Sequence, residues 1–261
     1  MLLLSAPVFA QAPLLAAPLS AAPLSAAPLS AAEPCRPDAL GTARVLTVDA
    51  AHYPRVGRKH FPQTLPLARR EVVLTFDDGP SPLTTGRVLD ALAKECVRAT
   101  FFLLGRNAAA HPAVARRILA AGHTVGTHTF SHPLLSHLTA HAAEAEVNRG
   151  IAAIDQALHT RTAPFFRFPG FASTPALLDV LSRRGLVVFG ADVWASDWNP
   201  MTPQAELNLV LERIEKSGGG IVLFHDTQPQ TAAMLPGFLR ALKARGFQVV
   251  HVVAPTGVAW R

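Results

Sequence analysis

From Glu71 onward, short near-continuous apolar runs alternate with longer stretches whose apolar positions recur at helical spacing. The runs fall at residues 72–76, 100–104, 123–127, 165–168, 186–189, 221–224 and 247–253. Runs this short, bounded by turn residues and apolar on both faces, suit the buried strands of a parallel sheet. The stretches between them predict helices at about 88–94, 112–121, 142–158, from 174, 203–216 and 234–245. Thr174 is a good N-cap with Pro175 at the first helical position, and Asn107 is a possible cap for the second helix. Strands alternating with helices predict an α/β fold built of βαβ units. Seven repeats suit an incomplete or distorted barrel, with a doubly wound open sheet as the alternative.

Ahead of this pattern the chain changes character twice. Residues 35–70 read as a loop-rich preface with one strand at 44–48, packing on the barrel of residues 71–261. Residues 1–34 carry no such pattern. Positions 2–32 lack any charge, but Pro7, Pro13, Pro18, Pro23 and Pro28 argue against a membrane helix. Residues 16–30 are three copies of Ala-Ala-Pro-Leu-Ser, a low-complexity spacer. The first ten residues resemble the tail of a secretory signal, with Val8 and Ala10 suiting a small-residue cleavage site, so export to a periplasmic or extracellular space is expected.

Composition narrows the picture. The chain has 261 residues, 49% of them hydrophobic, enough for a sizeable core. Its formal charge of +6 is scattered, and one tyrosine with three tryptophans leaves little for base stacking, so nucleic acid is not an expected partner. Two cysteines, Cys35 and Cys96, fit an oxidising compartment, and pairing them would tie the preface to the barrel; two unrelated buried thiols are the alternative.

Polar residues then fall where a barrel needs them. Asp77 and Asp78 end the first strand within Thr75-Phe-Asp-Asp-Gly79, and His128 follows the third within His128-Thr-Phe-Ser-His132-Pro133. Arg167 lies at the end of the fourth, Asp192 just after the fifth, and His225-Asp226 just after the sixth. The ends of parallel barrel strands converge on one face, where active sites are built. Two histidines four apart can present both imidazoles to one ion, and a neighbouring carboxylate can complete three ligands with a fourth position open to water. The other aspartate of the pair is then free to act as a base, and a metal-dependent hydrolase follows. Eight further histidines lack such context and are read as structural.

These residues resemble the polysaccharide deacetylase family, the NodB-homology or carbohydrate esterase 4 group. The resemblance rests on Thr75-Phe-Asp-Asp-Gly79, His128-Thr-Phe-Ser-His132-Pro133, Arg167-Phe-Pro-Gly-Phe171, Asp192-Val-Trp-Ala-Ser-Asp197-Trp198 and Leu223-Phe-His225, and covers about residues 70–255. It implies a distorted (β/α)7 barrel that removes acetyl groups from glycans containing N-acetylglucosamine, such as peptidoglycan, chitin-like oligomers or an exopolysaccharide. It further implies that Asp78, His128 and His132 hold a divalent metal, zinc first, with cobalt, nickel or manganese as alternatives. Asp77 would be the general base, Arg167 its orienting partner and His225 the general acid. Either Asp197 or Asp192 would partner His225, an ordinary helix cap being the alternative for each. Trp198, and less directly Trp194, would wall the substrate site. The family's tyrosine after the motif proline is replaced by Gly170, which keeps the backbone N–H for an oxyanion but loses the side chain. A metal-dependent esterase or amidase on another acyl substrate, such as acetylxylan, and a silent glycan-binding protein are the competing readings. Asp226 would assist His225 or cap the following helix.

Overall fold

The computed structural model describes residues 35–257; the spacer and the signal-like segment lie outside the described residues. Strands β1 (Thr42–Thr47) and β2 (Arg55–Val56) belong to the preface. The barrel then runs β3 (Glu71–Asp77), α1 (Thr85–Lys94), β4 (Thr100–Leu103), α2 (Gly105–Ala110), α3 (Pro112–Ala120), β5 (Thr124–Thr127) and α4 (Ala140–Leu158). It continues through β6 (Phe165–Phe166), α5 (Pro175–Arg183), β7 (Val187–Phe189), β8 (Val193–Trp194), α6 (Pro203–Ser217), β9 (Gly220–His225), α7 (Pro229–Ala244) and β10 (Gln248–Val253). No helix among the described residues is long and apolar enough to cross a membrane.

Among the described residues every strand pairing is parallel. β9, β3, β4, β5, β6 and β7 pair in that order, and β8 pairs with the other side of β9. No ladder joins β7 to β8, so hydrogen bonds do not close the sheet, and β2 pairs with β7 instead. The strand count differs from the expected one. Val193–Trp194 is a strand that the pattern did not predict, because two residues are too few to register as an apolar run. The predicted last strand forms as β10, but it pairs only with the first two residues of β3 and with β1. It therefore supports one end of the barrel alongside the preface.

Alternation along β3 explains how the interior is divided. Val72, Leu74 and Phe76 pack outward against the helices, in a cluster with Val88, Leu92, Leu235 and Phe238. Val73 faces inward with Phe102, Phe165, Phe189, Ile221 and Val250. Val48, Val56 and Leu65 of the preface join this inner cluster. Thr75 and Asp77 share the period of Val73, so the inward row ends on a carboxylate, buried to 2% exposure. Cys35 and Cys96 form a disulfide, with Cα atoms 5.9 Å apart. Thr174 caps α5, accepting from Leu177 N–H at 3.2 Å, with Pro175 at the first helical position.

Candidate functional site

The carboxyl ends of the strands and the loops that follow them hold the polar cluster. Immediately after β3 the backbone turns into the left-handed region at Asp78 (φ 72°), which sends its side chain out of the inward row. Asn107 Nδ2 of α2 donates to the Asp78 carbonyl at 2.7 Å and braces that turn. Asn107 is thus inside a helix of its own rather than the expected cap of the next one. Thr129 and His132 are also left-handed (φ 71° and 68°), and Thr129 Oγ1 accepts from His132 N–H at 3.1 Å. The tight loop this makes swings His132 back toward His128.

Their donor atoms converge. Asp78 Oδ1 is 3.6 Å from His128 Nε2 and 3.4 Å from His132 Nε2. One ligand atom from each residue lies within 4.8 Å of the other two. Asp78 Oδ1 is buried yet has no hydrogen-bond partner among the described residues, an arrangement that costs free energy unless something positive fills the gap. The Nδ1 of His128 lies 2.7 Å from the Arg167 carbonyl, which can only accept, so Nδ1 carries the proton and the Nε2 lone pair faces Asp78. Burial, above all, pushes the His128 imidazole down to about 3, so it is neutral as a ligand must be. These features fit a divalent cation held by Asp78, His128 and His132.

Asp77 stands beside this group, its Oδ2 3.8 Å from His128 Nε2. Arg167, fully buried, donates from Nη1 to Asp77 Oδ1 at 2.7 Å and to Thr75 Oγ1 at 2.9 Å. Its Nη2 and Nε donate to the carbonyls of Gly190 and Phe189, and its guanidinium lies over the Phe102 ring. Burial raises the Asp77 carboxyl above its ordinary value, while Arg167 pulls it the other way.

On the opposite side His225 ends β9, its Nε2 4.0 Å from Asp78 Oδ2. Asp197 grips this histidine twice, accepting from Nδ1 at 2.8 Å and from the backbone N–H at 2.6 Å. Burial alone would lower the imidazole, but the hydrogen bond and charge of Asp197 outweigh it and raise His225 to about 9. Asp192, the other carboxylate expected near His225, is elsewhere. It accepts from Arg58 N–H, Thr64 Oγ1 and Ile221 N–H at 2.7–2.8 Å, clamping the preface to β9. Asp226 is not a helix cap either; it is fully buried under the Gly79 turn, where it meets Thr85 Oγ1. A Cβ at Gly79 would fall 2.4 Å from its carboxylate, which explains the glycine.

Asp77, Asp78, His128, His132 and His225 line one cleft of about 400 Å³ together with Phe168, Gly170, Phe171, Trp194, Trp198, Leu223 and Gln228. Trp198, 46% exposed, presents its ring edge-to-face to His225, with centroids 5.8 Å apart. Gly170 adopts φ 55° at the rim. Phe171, which closes the Arg167–Phe171 motif, stacks on His60 of the preface, with centroids 3.7 Å apart, a contact that the motif did not predict. Adjacency to Gly170 was the available signal for Phe171; His60 offered none.

The polysaccharide deacetylase family model matches residues 65–189. A chitooligosaccharide deacetylase from Rhizobium leguminosarum bv. trifolii is 35% identical over 197 residues, 69% of this chain and 89% of the relative. The solved Bdellovibrio bacteriovorus peptidoglycan deacetylase Bd3279 superposes with a TM-score of 0.75 at 34% identity, covering 83% of this chain and 60% of that one. A family 4 carbohydrate esterase from Streptomyces lividans, solved with acetate, gives a TM-score of 0.62 at 31% identity, covering 71% of this chain and 97% of its own.

Proposed function

The chain belongs to the polysaccharide deacetylase family, and from that premise we propose that it is a divalent-metal-dependent hydrolase removing N-acetyl groups from glycans that contain N-acetylglucosamine. The observation that carries this reading is the flanking of one ligand group by two differently prepared titratable residues. Asp77 lies on one side, held by Arg167, and His225 on the other, held by Asp197.

Asp78, His128 and His132 would hold the cation. When bound, it supplies Lewis acidity that makes a water more acidic and polarises the acetyl carbonyl. The remaining work belongs to the chain. Asp77 accepts a proton from the attacking water, and the fixed Arg167 contact keeps its free oxygen aimed into the cleft. A C–O bond forms at the acetyl carbon, and the backbone N–H of Gly170 is the donor assigned to the oxyanion. The C–N bond then breaks as His225 passes its proton to the leaving nitrogen, giving acetate and a free amine. An imidazole titrating at about 9 is protonated at neutral pH and ready for that step. Trp198 supplies an apolar wall beside it.

Zinc is the first expectation for the ion, given two imidazoles and one carboxylate. The disulfide supports an exported protein, since such bonds persist in oxidising compartments. A second reading, ester rather than amide cleavage, draws on Gly170 in the cleft lining, where the family's tyrosine side chain is missing. The test is acetate release from chitooligosaccharides, peptidoglycan and acetylxylan, each with and without chelator. Chelator-sensitive release from the N-acetylated glycans is expected. Release confined to acetylxylan would favour the ester reading, and none from any substrate would contradict both.

A further inference from the structure

Behind His225 and Asp197 lies a carboxyl group that the chemistry above does not use. Glu206, in the first turn of α6, is fully buried, as are Asp197 and Thr231 of α7. Thr231 Oγ1 is 2.9 Å from Glu206 Oε1 and 2.8 Å from Asp197 Oδ2. A threonine hydroxyl has one proton to give. If both acids were ionised, two buried negative charges would share that one proton, and Glu206 would meet its charge with at most one donor. Sharing one hydroxyl proton in this way favours a single negative charge on the pair.

The surroundings decide which acid carries it. Asp197 already accepts from two His225 N–H groups, at 2.8 and 2.6 Å, and donors on both oxygens stabilise an ionised carboxylate. Among the described residues Glu206 has Thr231 alone as a side-chain partner, and its Oε2 has no hydrogen-bond partner. Burial first, then the Asp197 charge, pushes the Glu206 carboxyl up to about 7. Asp197 and His225 are the titratable groups acting on it, whereas Arg213 of the same helix is engaged with Trp194 O and Ser196 Oγ.

We propose that Glu206 is a positioning residue, held as the neutral acid, which donates to Thr231 Oγ1 and thereby commits the Thr231 proton to Asp197 Oδ2. The chain then has one direction: Glu206 donates to Thr231, Thr231 to Asp197, and His225 Nδ1–H to Asp197 from the other side. Hydrogen bonds aligned this way reinforce one another. An ionised Glu206 would turn the Thr231 proton toward itself and leave Asp197 held by the two His225 N–H groups without support from behind. The expected effect on turnover rests on His225 as the proton donor; the protonation of Glu206 does not.

Two measurements test it. Infrared difference spectra of the metal-free protein at about pH 6, below the raised Glu206 value, are expected to show a protonated-carboxyl stretch that Glu206→Gln removes. No loss of such a band overturns the proposal, whether or not any glycan proves to be a substrate. In turnover, Glu206→Gln keeps a neutral donor in place and is expected to retain kcat. Glu206→Leu and Thr231→Val are expected to lower kcat about tenfold with KM unchanged, as loss of a residue behind an active-site group commonly does. If Glu206→Leu fails to fold, Thr231→Ser, which keeps the hydroxyl, against Thr231→Val makes the same comparison. Glu206→Gln as damaging as Glu206→Leu, or Thr231→Val indistinguishable from wild type, overturns the proposal.

Discussion

One strand carries a buried histidine at each end. His123 directly precedes β5 and His128 directly follows it, with exposures of 5% and 2%. Each has a second histidine close by, His251 of β10 at the lower end and His132 at the upper. Burial pushes both strand-end imidazoles down to about 3. Yet only one end is built for chemistry. At the upper end the neighbours are Asp77 and Asp78, and one carboxylate oxygen lacks any partner. At the lower end the neighbouring charge is Arg98, which opposes any cation. There His123 Nδ1 accepts from Ala99 N–H at 3.1 Å, and His251 Nε2 lies 2.9 Å from Thr124 Oγ1. Buried neutral imidazoles are common to both ends; carboxylates placed among them make the difference.

The sharpest way to break this contrast is at the upper end. Asp77→Asn is expected to lower kcat about 10³-fold, within the range for loss of a general base, while one divalent ion per chain is retained. Acetate release and metal analysis on the same sample check it, and near-normal turnover would remove Asp77 from its role. The lower end should respond in stability alone. Replacing Cys35 and Cys96 by serine opens a cross-link spanning 61 residues and is expected to cost about 4 kcal/mol on the chain-entropy model, with kcat unchanged. Urea unfolding beside a turnover assay separates the two effects.

His123→Phe probes the lower pair directly. It leaves the buried Ala99 N–H without its acceptor, an expected loss of about 1–3 kcal/mol, again with kcat unchanged. His123 and His251 also set a pH dependence. Their values in the folded protein, about 3 and about 4, lie below the ordinary 6.5. The stability they contribute is therefore present above 6.5 and lost as pH falls toward those values. Unfolding free energies across that interval should fall less steeply in His123→Phe. The smallest expected effect concerns His225, whose value near 9 implies that kcat declines as pH rises through about 9. Asp197→Asn should move that decline to lower pH, and an unmoved limb would detach Asp197 from His225.

Much of this was legible in the chain, for identifiable reasons. β3 and β9 are long apolar runs, and the residues closing them, Asp77 and His225, break the run with a charge, so strand end and chemistry were read together. The His128–His132 spacing carried its own meaning. Asp192 and Asp197 could not be told apart, because both follow β7 within a few residues; the short strand β8 lies between them, with Asp192 before it on the preface and Asp197 after it on His225. Glu206 and Thr231 were invisible for a different reason. They lie on two helices that meet only in the fold, and nothing local marks either as polar and buried.

The proposed chemistry requires that one carboxylate and two imidazoles seat one ion. Calorimetric titration of the metal-free protein with zinc tests this most directly, in wild type and in Asp78→Ala, His128→Ala and His132→Ala. One tight site per chain in wild type, lost or greatly weakened in each variant but intact in His123→Phe, is the predicted result. No binding by wild type, or undiminished binding after all three ligands are replaced together, would contradict it.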